Sequence, residues 1–163
     1  MIQERYHPVP QPEDISTREK EDAMGAYLMM FAAIGAGLPL PIINMLAAII
    51  YYYINKHKSL FVRFHALQSL FSQIPVSILN AIAVIWAIRI LFFNLPFSDI
   101  YKGYLIMVVI ANIIYFIFSI IGALKSRKGR MYYFLFFGPL SYKMAFKVRE
   151  EKSETILNIP PKL

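Results

Sequence analysis

Four apolar blocks alternate with short polar stretches along the chain. They occupy residues 23–54, 74–93, 104–124 and 131–148. The second and third are each close to the ~20 residues that an α-helix needs to cross a bilayer. Ahead of the second block lies 59–73, SLFVRFHALQSLFSQ, with a different pattern. At 100° per residue, Leu60, Phe64, Leu67, Leu70, Phe71 and Ile74 share one helical face, and His65, Gln68, Ser69 and Ser72 share the other. The pattern predicts a helix that lies at a membrane interface for four turns and then enters the hydrocarbon, with a bend at Pro75. Arg63 projects near the apolar side, where its stem can pack on lipid while its guanidinium reaches phosphate.

The first block is too long for one simple span. Its 32 residues would run about 48 Å as a straight helix, against a hydrocarbon core of roughly 30 Å. Gly35, Gly37, Pro39 and Pro41 fall in its middle and should break it. Two readings follow. One is a single kinked span with the N-terminal tail outside. The other is a hairpin of two short helices, 23–37 and 41–54, with both ends on one side and its tip covered by other helices. Tyr51, Tyr52 and Tyr53 followed by Lys56 and Lys58 mark a membrane boundary.

Charge gives the orientation. The loops at 55–63 and 125–130 are basic, and 94–103 between them is nearly neutral, so the positive-inside rule places both basic loops in the cytoplasm. Block 131–148 is interrupted by Gly138-Pro139 and carries cations, so it reads as interfacial, with Tyr132, Tyr133, Phe134, Phe136 and Phe137 at headgroup depth. Residues 1–22 hold three basic and six acidic side chains, a net −3, and contain Pro8, Pro10 and Pro12. They read as a polar, largely disordered tail in which Ser16 or Thr17 caps a helix start, with no cleavable signal. Residues 149–163 read as a second polar tail.

Composition supports this picture. The chain is 58% hydrophobic and 17% charged, too few charges to coat a soluble domain, where they run near 25%. Residues 125–149 carry seven basic and no acidic side chains. Beside apolar helices such a block reads as a topology signal and as a site for anionic lipid headgroups, through Lys125, Arg127, Lys128 and Arg130, rather than as a nucleic-acid surface. With no cysteine, disulfides, thiolate metal sites and a cysteine nucleophile are excluded.

The candidate chemistry is sparse. His65, Gln68 and Ser72 share a helical face and, with Arg63, form a candidate interaction surface. The more ordinary reading of such a stripe is the wet face of an interfacial helix. Asn80 and Asn112 lie inside the spans, where amides bond between helices or line a polar track. The spans hold no Asp or Glu, which argues against proton-coupled transport. Metal-ligand spacing, catalytic triads and phosphate-binding glycine loops are all missing, so no catalytic residue, cofactor or metal is expected.

The run from Leu38 through Pro39, Pro41, Lys56 and Lys58 to Phe61, Arg63, His65 and Gln68 resembles a family of small bacterial membrane proteins of unknown function. The same helix is similar to one in the small four-helix Tic subunit of the chloroplast inner-envelope import translocon. The stretch from Ala123 through Lys128, Gly129, Tyr132 and Tyr133 to Gly138-Pro139-Leu140 is similar to that bacterial family's closing signature, with the proline displaced by extra aromatics and Ser69 in place of the usual alanine. The resemblance covers about residues 23–145. It implies four helical segments with both termini on one side, hence the hairpin, and a role beside polypeptide translocation.

The expected fold is an all-α integral membrane protein: a broken N-terminal hydrophobic hairpin, a long bent amphipathic-to-transmembrane helix over 59–93, one further span at 104–124 and an interfacial C-terminal segment. Three functions fit. The first is a non-enzymatic accessory or scaffold subunit of an inner-membrane complex, bound to other membrane proteins or to copies of itself. The second is a small oligomeric channel or transporter. The third is a lipid-interacting protein.

Overall fold

The computed structural model describes residues 5–32 and 41–148, with only the backbone described at 41 and 42. Among these residues there are five α-helices: α1 (Thr17–Leu28, extended by a 3-10 turn Met29–Phe31), α2 (Pro41–Asn55), α3 (Leu60–Phe92), α4 (Asp99–Arg127) and α5 (Phe137–Phe146). The helix-breaking positions Gly35, Gly37 and Pro39 lie outside the described residues, and Pro41 opens α2.

The hairpin reading holds. Asp22 near the start of the first arm meets the end of the second: the Tyr51 hydroxyl donates to the Asp22 carbonyl at 2.7 Å, and Lys58 pairs with the Asp22 carboxylate at 2.7 Å. A single continuous span would hold these positions tens of ångströms apart. Pro75 does not end α3, which runs unbroken for 33 residues, about 50 Å.

The first and last described segments gather where the hairpin ends meet. The His7 amide donates to the Phe146 carbonyl at 2.8 Å, and the Val148 amide donates to the Arg5 carbonyl at 2.9 Å. Over residues 5–16 this corrects the expectation of a disordered tail over 1–22. Residues 5–16 are held by backbone bonds and by Ile15, which packs with Ala23 and Phe61. α1 starts at Thr17, six residues before the apolar block, because Ser16 and Glu19 form a capping box: the Ser16 hydroxyl accepts from the Glu19 amide, and the Glu19 carboxylate accepts from the Ser16 amide at 2.9 Å. The Ser16 hydroxyl, which donates to the Glu19 carboxylate at 2.7 Å, holds that carboxyl below its usual range.

Gly129 turns the chain out of α4 with φ +69°, and a Cβ there would press on Pro12. At the opposite end Asn94 takes a positive φ of 52° between α3 and α4. There the Tyr101 and Tyr104 hydroxyls of α4 donate to the Ala83 and Leu79 carbonyls of α3, at 3.1 and 2.9 Å.

The molecule is therefore two-ended. Residues 61–69 of α3 are buried, Arg63 excepted, among α1, α2, α5 and the N-terminal segment. Beyond residue 77 α3 and α4 carry exposed isoleucines, leucines and phenylalanines such as Ile85, Leu91, Ile106 and Ile113. Only 11% and 22% of the most apolar stretches of α3 and α4 are buried, which excludes their being core helices of a soluble domain. An apolar surface of that extent needs lipid around it.

Two outcomes are expected. The chain has no native cysteine, so single cysteines at Glu13, Lys128 and Ser98 report sidedness without background. In sealed vesicles Glu13→Cys and Lys128→Cys label from the same side and Ser98→Cys from the other; opposite labelling of the first two would refute the hairpin. Ser16→Ala should cost about 1 kcal/mol, read as faster hydrogen exchange in α1. Because the Glu19 pKa is depressed by folding, its contribution is present above the ordinary glutamate range and is lost as the pH falls through the folded value.

Candidate functional site

The polar stripe of α3 does not face water. His65 and Gln68 are fully buried, which corrects the expectation of a wet interfacial face. α1 and the connector between α4 and α5 cover the stripe instead. The Gln68 Nε2 donates to the Tyr27 hydroxyl and to the Tyr132 carbonyl, both at 2.8 Å, and its Oε1 accepts from the Phe134 amide at 3.1 Å. The Tyr27 hydroxyl is also hydrogen-bonded to His65 Nδ1, 2.8 Å away. The His65 Nε2 has no hydrogen-bond partner among the described residues. The rings of Phe61 and Phe64 stand edge-to-face against the imidazole, at 4.5 and 5.0 Å.

The stripe continues with Ser69, whose hydroxyl donates to the Ala26 carbonyl at 2.7 Å. Ser72 shares the face but bonds only within its own helix, to the Ser69 carbonyl at 2.9 Å. Arg63 sits apart from this cluster. It is half-buried, with Nε shut off from solvent and unpartnered among the described residues.

Asn80 and Asn112 come together on a lower level. Each amide nitrogen donates to the other's oxygen, at 3.1 and 3.0 Å, and each also donates to a carbonyl one turn back in its own helix. They border a cavity of about 580 Å³ that Asn44, Gln73 and Phe31 also line. The Gln73 Oε1 is buried there and has no partner among the described residues.

The cations divide into two sets. Arg127 pairs with Glu21 at 3.1 Å, just as Lys58 pairs with Asp22, so the acidic N-terminal segment offsets part of the basic end. Lys125, Lys128 and Arg130 have no acidic partner among the described residues. Block 131–148 is only partly surface-lying, another correction. Phe134 is buried against Tyr27 and Ala123, and α5 packs Phe146 and Ala145 on Phe64 and Leu67, while Leu135 and Phe136 stay exposed.

Reading the sequence missed Tyr27, the partner on which the cluster depends. One tyrosine in an apolar run carries no local mark. The only signal is Gly122, where a Cβ would meet the Tyr27 ring at 2.8 Å, and its meaning depends on helices being adjacent. Among the described residues no group of three or more His, Asp or Glu side chains gathers as a metal site.

Gln68→Leu should destabilise by about 3 kcal/mol, because it removes the partner of three groups on two other segments at once. Replacing Asn80 and Asn112 together by Leu should cost less than about 1 kcal/mol, since membrane amide pairs contribute modestly and neither partner is left alone. Thermal unfolding in detergent compares the two; equal losses would refute the ranking.

The profile of the magnetosome magnetite crystal formation protein family matches residues 20–141, which hold α1 to α4, the connector and the first half of α5. No curated protein and no solved structure matches the chain. Nothing in these comparisons supports the likeness to the Tic subunit or a part in polypeptide translocation. The match spans most of the chain and all of the buried cluster, and the chain belongs to this bacterial family of magnetosome membrane proteins.

Proposed function

We propose that the protein is a non-enzymatic accessory subunit that organises other membrane proteins, or copies of itself, where magnetite crystals form. Family membership supplies the process. The observation that carries the role is the division of the molecule. Its best polar constellation, Tyr27 with His65 and Gln68, is spent on holding the chain's own segments together. What α3 and α4 offer outward beyond residue 77 is a lateral apolar surface. A chain built this way acts through what it touches in the plane of the membrane.

A second reading rests on the cavity between α3, α4 and the hairpin. Asn44, Gln73, Asn80 and Asn112 bring amides to membrane depth, where they offer hydrogen-bonding groups to a small polar solute. In that reading an oligomer passes the solute, and Asn80→Leu abolishes flux into liposomes.

Affinity purification of the tagged chain from native membranes in mild detergent should return a stoichiometric membrane protein or a homo-oligomer. Removal of the gene should change the size or number of magnetite crystals seen by electron microscopy while the membranes remain. A monomer free of partners, with unaltered crystals, would refute the accessory role and leave solute flux as the reading to test.

A further inference from the structure

The flank of the α3–α4 pair away from the hairpin carries a groove that nothing above uses. It has a volume of about 310 Å³ and is bordered by Pro75, Leu79, Ala111, Ile114, Phe118 and Phe136. Its walls are almost entirely carbon. Ser72 also borders it, but its hydroxyl is already bonded to the Ser69 carbonyl. The connector closes one end with Leu135 and Phe136, which are 76% and 84% exposed. Side chains this apolar and this exposed belong in hydrocarbon.

The groove also points towards charge. Ala111, Phe118 and Lys125 are spaced seven residues apart on α4, so they form one stripe of the helix. Lys125 therefore stands two turns, about 10 Å, beyond Phe118 towards the basic end. Lys128 and Arg130 follow at once, and the Arg130 amide is anchored on the Lys125 carbonyl at 3.0 Å. Lys125, Lys128 and Arg130 are three cations of this end with no acidic partner among the described residues, whereas Arg127 and Lys58 are taken up by Glu21 and Asp22. An apolar groove on the helix stripe that leads to cations without an acidic partner among the described residues matches one chemistry: a lipid with a negatively charged phosphate headgroup.

We propose that the groove beneath the 131–136 connector binds one anionic phospholipid, with an acyl chain against Ala111, Ile114 and Phe118 and the phosphate against Lys125, Lys128 and Arg130. The lipid fills the space between α3, α4 and the connector, and ties the basic end to the charge of the bilayer. This goes beyond the accessory role and does not depend on it.

The test is native mass spectrometry of the full-length protein in mild detergent, titrated with dioleoylphosphatidylglycerol and, separately, with dioleoylphosphatidylcholine. One phosphatidylglycerol should be retained in preference to phosphatidylcholine. The preference should fall roughly five-fold for each cation removed in Lys125→Ala, Lys128→Ala and Arg130→Ala. Ala111→Phe fills the groove and should abolish retention of both lipids. Ile114→Trp repeats that test from a lipid-exposed position, with circular dichroism confirming the helix content of each variant. Equal retention of the two lipids by the unaltered protein would overturn the proposal. So would an unchanged preference in the triple cation variant, or full occupancy in both groove-filling variants.

Discussion

One amide side chain joins three stretches of this protein. Gln68 gives both hydrogens of its nitrogen, to α1 at Tyr27 and to the connector at Tyr132, and takes one from the connector at Phe134. Where water is excluded, each of these groups would be costly to leave unpaired. The arrangement therefore works as a specification rather than as a sum of attractions. α1 must lie where its tyrosine reaches α3, and the connector must cross where its backbone meets the same amide. His65 completes the set through the hydrogen bond between its Nδ1 and the Tyr27 hydroxyl. Gly122 makes it feasible, because only a residue without a Cβ lets the Tyr27 ring lie against α4.

The rest of the architecture follows from pinning one end. Among the described residues, α1, α2, α5 and the N-terminal segment gather around the first half of α3, while its second half bonds to α4. That pair is apolar outward and holds itself together through tyrosine hydroxyls on backbone carbonyls and the Asn80–Asn112 amides. The polar end and the apolar end thus do different work. One fixes the chain in its own fold and faces the charged surface, and the other presents lateral surface to lipid or to neighbouring proteins.

Membership of a magnetosome membrane family gives that surface a setting, the membrane in which a magnetite crystal forms. It also redirects the likeness to an import translocon subunit. In this chain the short motif with His65 and Gln68 serves the packing of helices. A helix whose polar stripe is buried by its own neighbours needs a residue that both donates and accepts, and glutamine beside histidine provides it. Such a motif marks a way of packing helices rather than what the assembled protein handles.

The sequence by itself determined the class and much of the outline. Continuous apolar blocks exceed what a soluble core can hide, so the two spans at 74–93 and 104–124 are legible from composition and length. Two glycines and two prolines inside one block require a break, and charged loops announce the membrane boundaries. Periodicity also isolated His65, Gln68 and Ser72 as one face, because helical spacing is a local property. Tertiary structure alone decided what that face meets. A polar stripe has the same sequence whether water or a neighbouring helix covers it, and the choice depends on Tyr27, 41 residues from Gln68, and on a connector 64 residues away. The N-terminal segment took on structure for the same reason. Its prolines and charges read as a free tail until Arg5, His7 and Ile15 found partners on Val148, Phe146 and Phe61. Distant contacts of this kind leave no local periodicity, because each needs only one residue of the right size or bonding capacity at the place where the fold brings it.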